Sequence, residues 1–169
     1  YMGGADCSSD KMGTVDLSVD LYDPLTGSSS PTGSMIVRRA VPTAAVLADG
    51  RVLVTGGHGP NHFGTLASVE IYDPSSGSWS EAAKMAIPRV GHTMTVLPDG
   101  RVLVVGGGSK ATEIYDPSTS IWSKAAETIE DHEAHTATLL KDGRVLVAGG
   151  ATGSHVQPFP TTSAEVYDP

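Results

Sequence analysis

Six side chains stand out for chemistry before any fold is considered: Arg39, Arg89, His92, His135, His58 and His62. Arg39, Arg89 and His132 each lie 17 residues after a tyrosine, at Tyr22, Tyr72 and Tyr115. His92 and His135 follow three residues after Arg89 and His132. Guanidinium and imidazole groups in such register can hold an anionic or polyhydroxy ligand through charge-assisted hydrogen bonds. The same groups can instead satisfy backbone carbonyls inside a repeat. His58 and His62 share a loop with Gly59, Pro60 and Asn61, a spacing that suits a metal if the loop curls, with His155 as a distant third ligand. Two histidines without a third ligand in register do not make a zinc site, so no metal is assigned. Asp6, Asp10 and Asp16 offer oxygen ligands for Ca²⁺, but not in the order of an EF-hand loop. No Ser-His-Asp order and no paired carboxylates stand out at the constant positions, so no catalytic residue and no cofactor are assigned.

The elements that must position these residues are written as a repeat. Asp-Gly-Arg-Val-Leu-Val occurs at Asp49, Asp99 and Asp142. A glycine pair occurs at Gly3, Gly56, Gly106 and Gly149, and Tyr-Asp-Pro at Tyr22, Tyr72, Tyr115 and Tyr167. From tyrosine to the next Asp-Gly the interval is 27 residues each time, and from that glycine to the pair it is always 6. From the pair to the next tyrosine it is 18, 15, 8 and 17. All length variation therefore sits in one segment, as expected of loops carried on a fixed frame.

Each unit predicts four short strands. The first is Thr43–Leu47, Thr93–Leu97 or Thr136–Leu140, and Asp-Gly then supplies a hairpin turn. The second, such as Arg101–Val105, is apolar on both faces and must be covered on both. The third ends in the tyrosine, at Ser68–Tyr72 or Thr112–Tyr115, and Asp-Pro starts the next turn. The fourth holds Trp79 or Trp122, each 7 residues after its tyrosine.

Four-stranded units at intervals of 43 to 52 residues stack radially as an all-β propeller. The glycine pair, the tyrosine and the tryptophan six residues after the aspartate closely resemble the kelch repeat, and the Asp-Gly-Arg-Val-Leu-Val phrase resembles its bacterial form. Residues 1–169 then divide into blades of about 1–34, 35–84, 85–127 and 128–169, the first and last incomplete. Ser29 replaces the tryptophan of blade 1, and Pro42 stands where later blades have His92 and His135. Both ends of the chain cut through blades, which predicts a fragment of a longer propeller or a half-ring closed by another copy, with edges paired to another chain.

Strand order places the variable loops, about 5–15, 58–67, 108–111 and 151–163, on one face with the connectors between blades. The resemblance implies a binding module with a protein or glycan partner on that face. It also admits an enzyme, since copper radical oxidases and sugar epimerases are similar to kelch propellers. The Cys–Tyr pair of the oxidases has no counterpart at Pro42, His92 or His135, and Cys7 lies elsewhere.

Arg51, Arg101 and Arg144 are expected to pair with Asp73, Asp116 and Asp168, or with Glu70, Glu113 and Glu165. Trp79, Trp122 and the tyrosines are expected to pack between blades. Lys and Arg total 11 against 19 Asp and Glu, a net charge of −8, which disfavours a nucleic-acid partner. No apolar run approaches the roughly 20 residues of a membrane helix. Few lysines among many Ser, Thr and Gly point to an extracellular or cell-surface setting.

Overall fold

A computed structural model describes residues 17–60, 64–154 and 157–169. Among them every regular element is a strand. In chain order, β1 (Asp20–Asp23) pairs with β2 (Ser28–Pro31). A four-stranded antiparallel sheet follows: β3 (Thr43–Val46), β4 (Val52–Thr55), β5 (Val69–Asp73) and β6 (Ser78–Ala82). The next repeats it with β7 (His92–Val96), β8 (Val102–Gly106), β9 (Glu113–Asp116) and β10 (Ile121–Lys124). The last has three strands, β11 (Thr136–Leu139), β12 (Val145–Ala148) and β15 (Ala164–Tyr167). Between its second and third strands a separate hairpin is inserted, β13 (Ala151–Ser154) with β14 (Gln157–Pro160).

The sheets stand side by side, with β3 against β7 and β7 against β11. Alternation along the second strand explains the stacking. Val102 and Val104 of β8 face the preceding sheet and pack with Leu53, Val69 and Ile71. Leu103 and Val105 face the following sheet and pack with Val145, Val147 and Tyr167. Successive side chains of a strand point to opposite faces, so one apolar run seals two interfaces. These four residues are at most 1% exposed.

An aromatic pair closes two of the interfaces from outside. Trp79 lies against Tyr72 at 5.1 Å between ring centroids, and Trp122 against Tyr115 at 4.9 Å. Each indole N–H donates to the preceding unit, Trp79 to the Gly33 carbonyl at 2.8 Å and Trp122 to the Ala83 carbonyl at 2.7 Å. In the first unit Ser29 sits opposite Tyr22 in the same register, and Tyr22 is left 59% exposed.

The tyrosine hydroxyls are not equivalent. Tyr72 Oη bonds to Thr32 at 2.6 Å, and Tyr167 Oη to Thr112 at 3.1 Å. Tyr115 Oη is buried with no partner, because Val69 and Ala82 stand where Thr112 and Thr32 stand in the neighbouring units. A buried hydroxyl without a partner costs stability. Tyr115→Phe is therefore expected to leave stability unchanged or to raise it by about 1 kcal/mol, whereas Tyr72→Phe lowers it. Urea denaturation of the two variants checks the contrast, and equal losses from both refute it.

Candidate functional site

Register fixes which chain segments share an end of the sheets. Thr43 pairs with Thr55 and Thr55 with Val69, while Val69 pairs with Ala82. The starts of strands one and three and the ends of strands two and four thus lie together. Loops 58–67, 108–111 and 151–163 share that end with the connectors 83–91 and 125–135. The Asp-Gly turns lie at the other.

At those turns the arginines behave differently from expectation. Arg51 pairs with Asp49 at 2.7 Å, Arg101 Nε donates to Asp99 at 2.6 Å, and Arg144 pairs with Asp142 at 2.7 Å. Each arginine folds back on its own turn, whose aspartate also accepts the arginine backbone N–H. This local partner two residues away outcompetes Asp73, Asp116, Asp168 and the glutamates on the third strand. Asp73 and Asp116 are occupied by Ser75 and Ser118 in their own turns.

The glutamates serve the connectors instead. Glu70 accepts Ile36 N–H at 2.7 Å and Val37 N–H at 3.1 Å, and pairs with Arg39 at 2.7 Å. Glu113 accepts Ala86 N–H at 2.7 Å and pairs with Arg89 at 3.1 Å. Glu165 accepts Ile129 N–H at 2.8 Å and meets His132 Nε2 at 2.8 Å. Burial alone would raise the Glu165 pKa, but the Ile129 N–H and His132 outweigh it and hold the carboxyl low.

Arg39 and Arg89 are fully buried at 0% exposure. Arg39 also donates to the carbonyls of Gly56 at 2.8 Å and Ser68 at 3.0 Å. Arg89 donates to those of Gly106 at 2.5 Å and Ala111 at 2.6 Å. The expectation that they orient a ligand at the channel mouth meets a plain obstacle: their terminal guanidinium N–H groups are spent inside the sheet, and Arg39 Nε, which has no partner, is itself buried. His132 takes the same place, with Nδ1 2.9 Å from the Gly149 carbonyl.

The second glycine of each pair carries the link onward. Gly57 N–H donates to the Arg89 carbonyl at 2.9 Å, and Gly107 N–H to the His132 carbonyl at 2.7 Å. A continuous relay therefore runs Arg39, Gly56-Gly57, Arg89, Gly106-Gly107, His132, Gly149 across three units. Close approach explains the glycines. A Cβ on Gly106 would strike the His132 carbonyl oxygen and lie 2.7 Å from His135 Cε1. The sequence pattern predicts the same intolerance at Gly149, but nothing lies within 4 Å of a Cβ there, because no following sheet packs on it among the described residues.

His92 and His135 occupy the space those glycines vacate. Both are buried, at 4% and 7% exposure. His92 Nε2 meets Thr55 Oγ1 of the preceding sheet at 2.7 Å, and His135 Nε2 meets Thr93 Oγ1 at 2.9 Å. Their Nδ1 atoms are buried without hydrogen-bond partners. Burial pushes His92 down to about 3, with the Arg89 and His135 charges adding to the shift. It pushes His135 to about 4, with His132 adding. These imidazoles are wedges between neighbouring sheets.

The residues just before them share a backbone conformation. Val41, Gly91 and Ala134 are equivalent, and all have positive φ, at 54°, 66° and 52°. Glycine adopts this conformation freely, and a β-branched residue does so at a cost of about 1–2 kcal/mol. Val41 is also 64% exposed, so little packing offsets the strain. Val41→Gly is expected to stabilise the chain by about 1 kcal/mol after glycine's extra chain entropy is subtracted. A lower melting temperature for that variant would refute the strain. The sequence reading missed these positions because Val, Gly and Ala share no chemistry; only their register relates them.

His58 is half-buried, and its backbone N–H and carbonyl bond to Ala40 at 2.8 and 2.9 Å. His62, His155, Cys7, Asp6, Asp10, Asp16 and Tyr1–Gly4 lie outside the described residues. Among the described residues no group of three His, Cys, Asp or Glu side chains is placed to hold a metal.

The kelch motif matches residues 39–86, the span from the first connector arginine through β6. No curated protein matches the chain. The matched unit is repeated strand for strand by β7–β10 and through three strands by β11, β12 and β15. The chain carries a kelch motif at residues 39–86, and the antiparallel sheets that repeat this unit have the form of β-propeller blades.

Proposed function

We propose that the chain is a binding module whose contact surface is the face carrying loops 58–67, 108–111 and 151–163, and that its partner is a protein. The observation that carries this reading is the confinement of length change to those loops. The intervals of 27 and 6 residues stay fixed while the loop interval runs from 8 to 18. Loops free to vary can acquire contacts without disturbing the blades. One of them has acquired the β13–β14 hairpin, on which Phe159 is 64% exposed. Val41 in the connector adds a second exposed apolar side chain. The arginines are withdrawn into the blades, which disfavours a small anion or a sugar held at the centre and favours an apolar protein contact.

Peptides selected from a displayed random library against the intact chain test this. Cutting loop 58–67 to the length of loop 108–111, or removing 151–160, is expected to weaken the selected peptides by at least about tenfold, a loss of about 1.4 kcal/mol. Asp99→Ala at the opposite turn is expected to leave them unchanged. Peptides that survive both loop changes but fail with Asp99→Ala would place the surface on the other face. Glycan binding that is lost with the same loops, with no peptide selected, would replace the protein partner by a sugar.

A further inference from the structure

The third unit holds a cavity of about 370 Å³ at the outer side of the connector end. Ala86 and Ile87 from the connector, Ala111 from the short loop and Trp122 from β10 make its apolar walls. Thr112 and Glu113 lie at its base, both buried and already satisfied. Thr112 Oγ1 bonds to the Ala126 carbonyl at 2.5 Å and to Tyr167 Oη at 3.1 Å. The Glu113 carboxylate is neutralised by Arg89 and by the Ala86 N–H.

Two groups at the cavity remain for a ligand, the ammonium groups of Lys84 and Lys124. Lys84 has no ion-pair partner among the described residues. Lys124 reaches Glu127 at 3.1 Å, with both side chains more than half exposed, a pairing of little worth. A chain of net charge −8 has thus set two cations on one apolar cavity.

The preceding unit offers a comparison, with Lys84 lining both cavities. Its equivalent cavity is about 70 Å³. Glu81 stands there where Lys124 stands, each nine residues after its tyrosine, and Ser68, in place of Ala111, is held by Arg39. The larger cavity falls in the size range of small-molecule sites, about 300–1,000 Å³; the smaller does not.

We propose that this cavity binds a small carboxylate with a hydrocarbon or aromatic body, the carboxylate facing Lys84 and Lys124 and the body resting on Ile87 and Trp122. Neither long loop contributes to it, and Ala111, at the end of the short loop 108–111, is its one residue from the loops of the proposed protein-binding face. Apolar burial supplies the affinity and the two charges select an acid over its alcohol.

Ligand-observed NMR with the whole chain tests the proposal, using 4-phenylbutyrate and 4-phenylbutanol as probes. The acid is expected to bind saturably in the millimolar range or below, and the alcohol about tenfold more weakly. Lys124→Glu, which copies the preceding unit, is expected to cost the acid about tenfold, and Lys84→Gln nearly as much. Both side chains are exposed, so both variants are expected to fold. Ala111→Leu fills the cavity and is expected to abolish binding of both probes; a far-UV spectrum confirms its fold. Absence of saturable binding by either probe, equal binding of acid and alcohol, or acid binding unchanged by Lys124→Glu would each overturn the proposal. Shortened loops 58–67 that lose peptides yet keep 4-phenylbutyrate would separate this site from the face.

Discussion

Arg89→Ala is expected to lower the stability of the chain by about 3–5 kcal/mol, because it strands a buried carboxylate. Glu113 is only 4% exposed, and it would keep the Ala86 N–H but lose its one cationic partner. The carbonyls of Gly106 and Ala111 would lose their side-chain donor at the same time. Arg89→Lys is expected to recover little of this, since one ammonium cannot reproduce a planar fork that spans two carbonyls and a carboxylate. Arg89→His is the more instructive variant. His132 already fills this position in the next unit, with one ring nitrogen on the Gly149 carbonyl and the other on Glu165. A histidine at 89 is therefore expected to retain more stability than alanine or lysine. Urea midpoints at neutral pH measure the series. An alanine variant as stable as the parent, or a lysine variant better than the histidine one, would remove the architectural role argued for this arginine.

The architecture was legible in the sequence because its blades advertise themselves through residues with one job each. Asp-Gly marks a turn, a doubly apolar second strand demands cover on both sides, and a tyrosine–tryptophan pair at a fixed interval seals the outside. Each of these follows from local geometry or from burial, and each was met at its predicted place. The site was less legible for a physical reason. The register of Arg39, Arg89 and His132 shows that they are equivalent, but not which way a side chain turns. The inward turn is set by Glu70, Glu113 and Glu165, which sit 31, 24 and 33 residues later. Their constant place two residues before each tyrosine was visible. It offers an alternative partner to Arg51, Arg101 and Arg144, which instead take an aspartate only two residues away. The β13–β14 hairpin escaped notice because Pro158 and Pro160 are poor strand residues. The carboxylate cavity escaped because it depends on side-chain volumes drawn from three separate segments.

Repetition also separates frame from function. Whatever recurs from blade to blade, such as the glycine relay or the glutamate pins, holds the blades together. Whatever differs between equivalent positions is free to recognise something. Val41 against Gly91, Lys124 against Glu81 and a hairpin against a tight loop are differences of that second kind.

Acid is expected to unfold the chain in a window set by His92 and His135, well above the range in which its exposed aspartates titrate. Both imidazoles are buried neutral, and their folded pKa values of about 3 and about 4 lie below the ordinary 6.5. A group whose folded pKa is depressed contributes stability that is fully present above its unfolded pKa and is lost as pH falls toward the folded value. The unfolded chain takes up a proton near pH 6.5 while the folded chain refuses it. Each histidine then contributes a slope of about 1.4 kcal/mol per pH unit between 6.5 and its folded pKa. The two together contribute about 3 kcal/mol per pH unit as pH falls from 6 toward 4. The aspartates of the turns, Asp49, Asp99 and Asp142, are held low by the arginine two residues on, so their contribution is lost only below their ordinary 3.8. They are exposed, and solvent screens them. Protonation of His92 would place a charge beside Arg89 and a donor at a buried Nδ1 that has nothing to receive it. His92→Gln keeps a polar group near Thr55 and removes the titration. Its stability at pH 7 is expected to fall, yet its loss between pH 6 and pH 4 is expected to be smaller than the parent's by about 1.4 kcal/mol per pH unit. Urea denaturation at half-unit pH steps reads the slope directly. A parent whose stability is flat from pH 6.5 to pH 4, or a His92→Gln variant with an unchanged slope, would show that His92 is not the buried neutral wedge described for it.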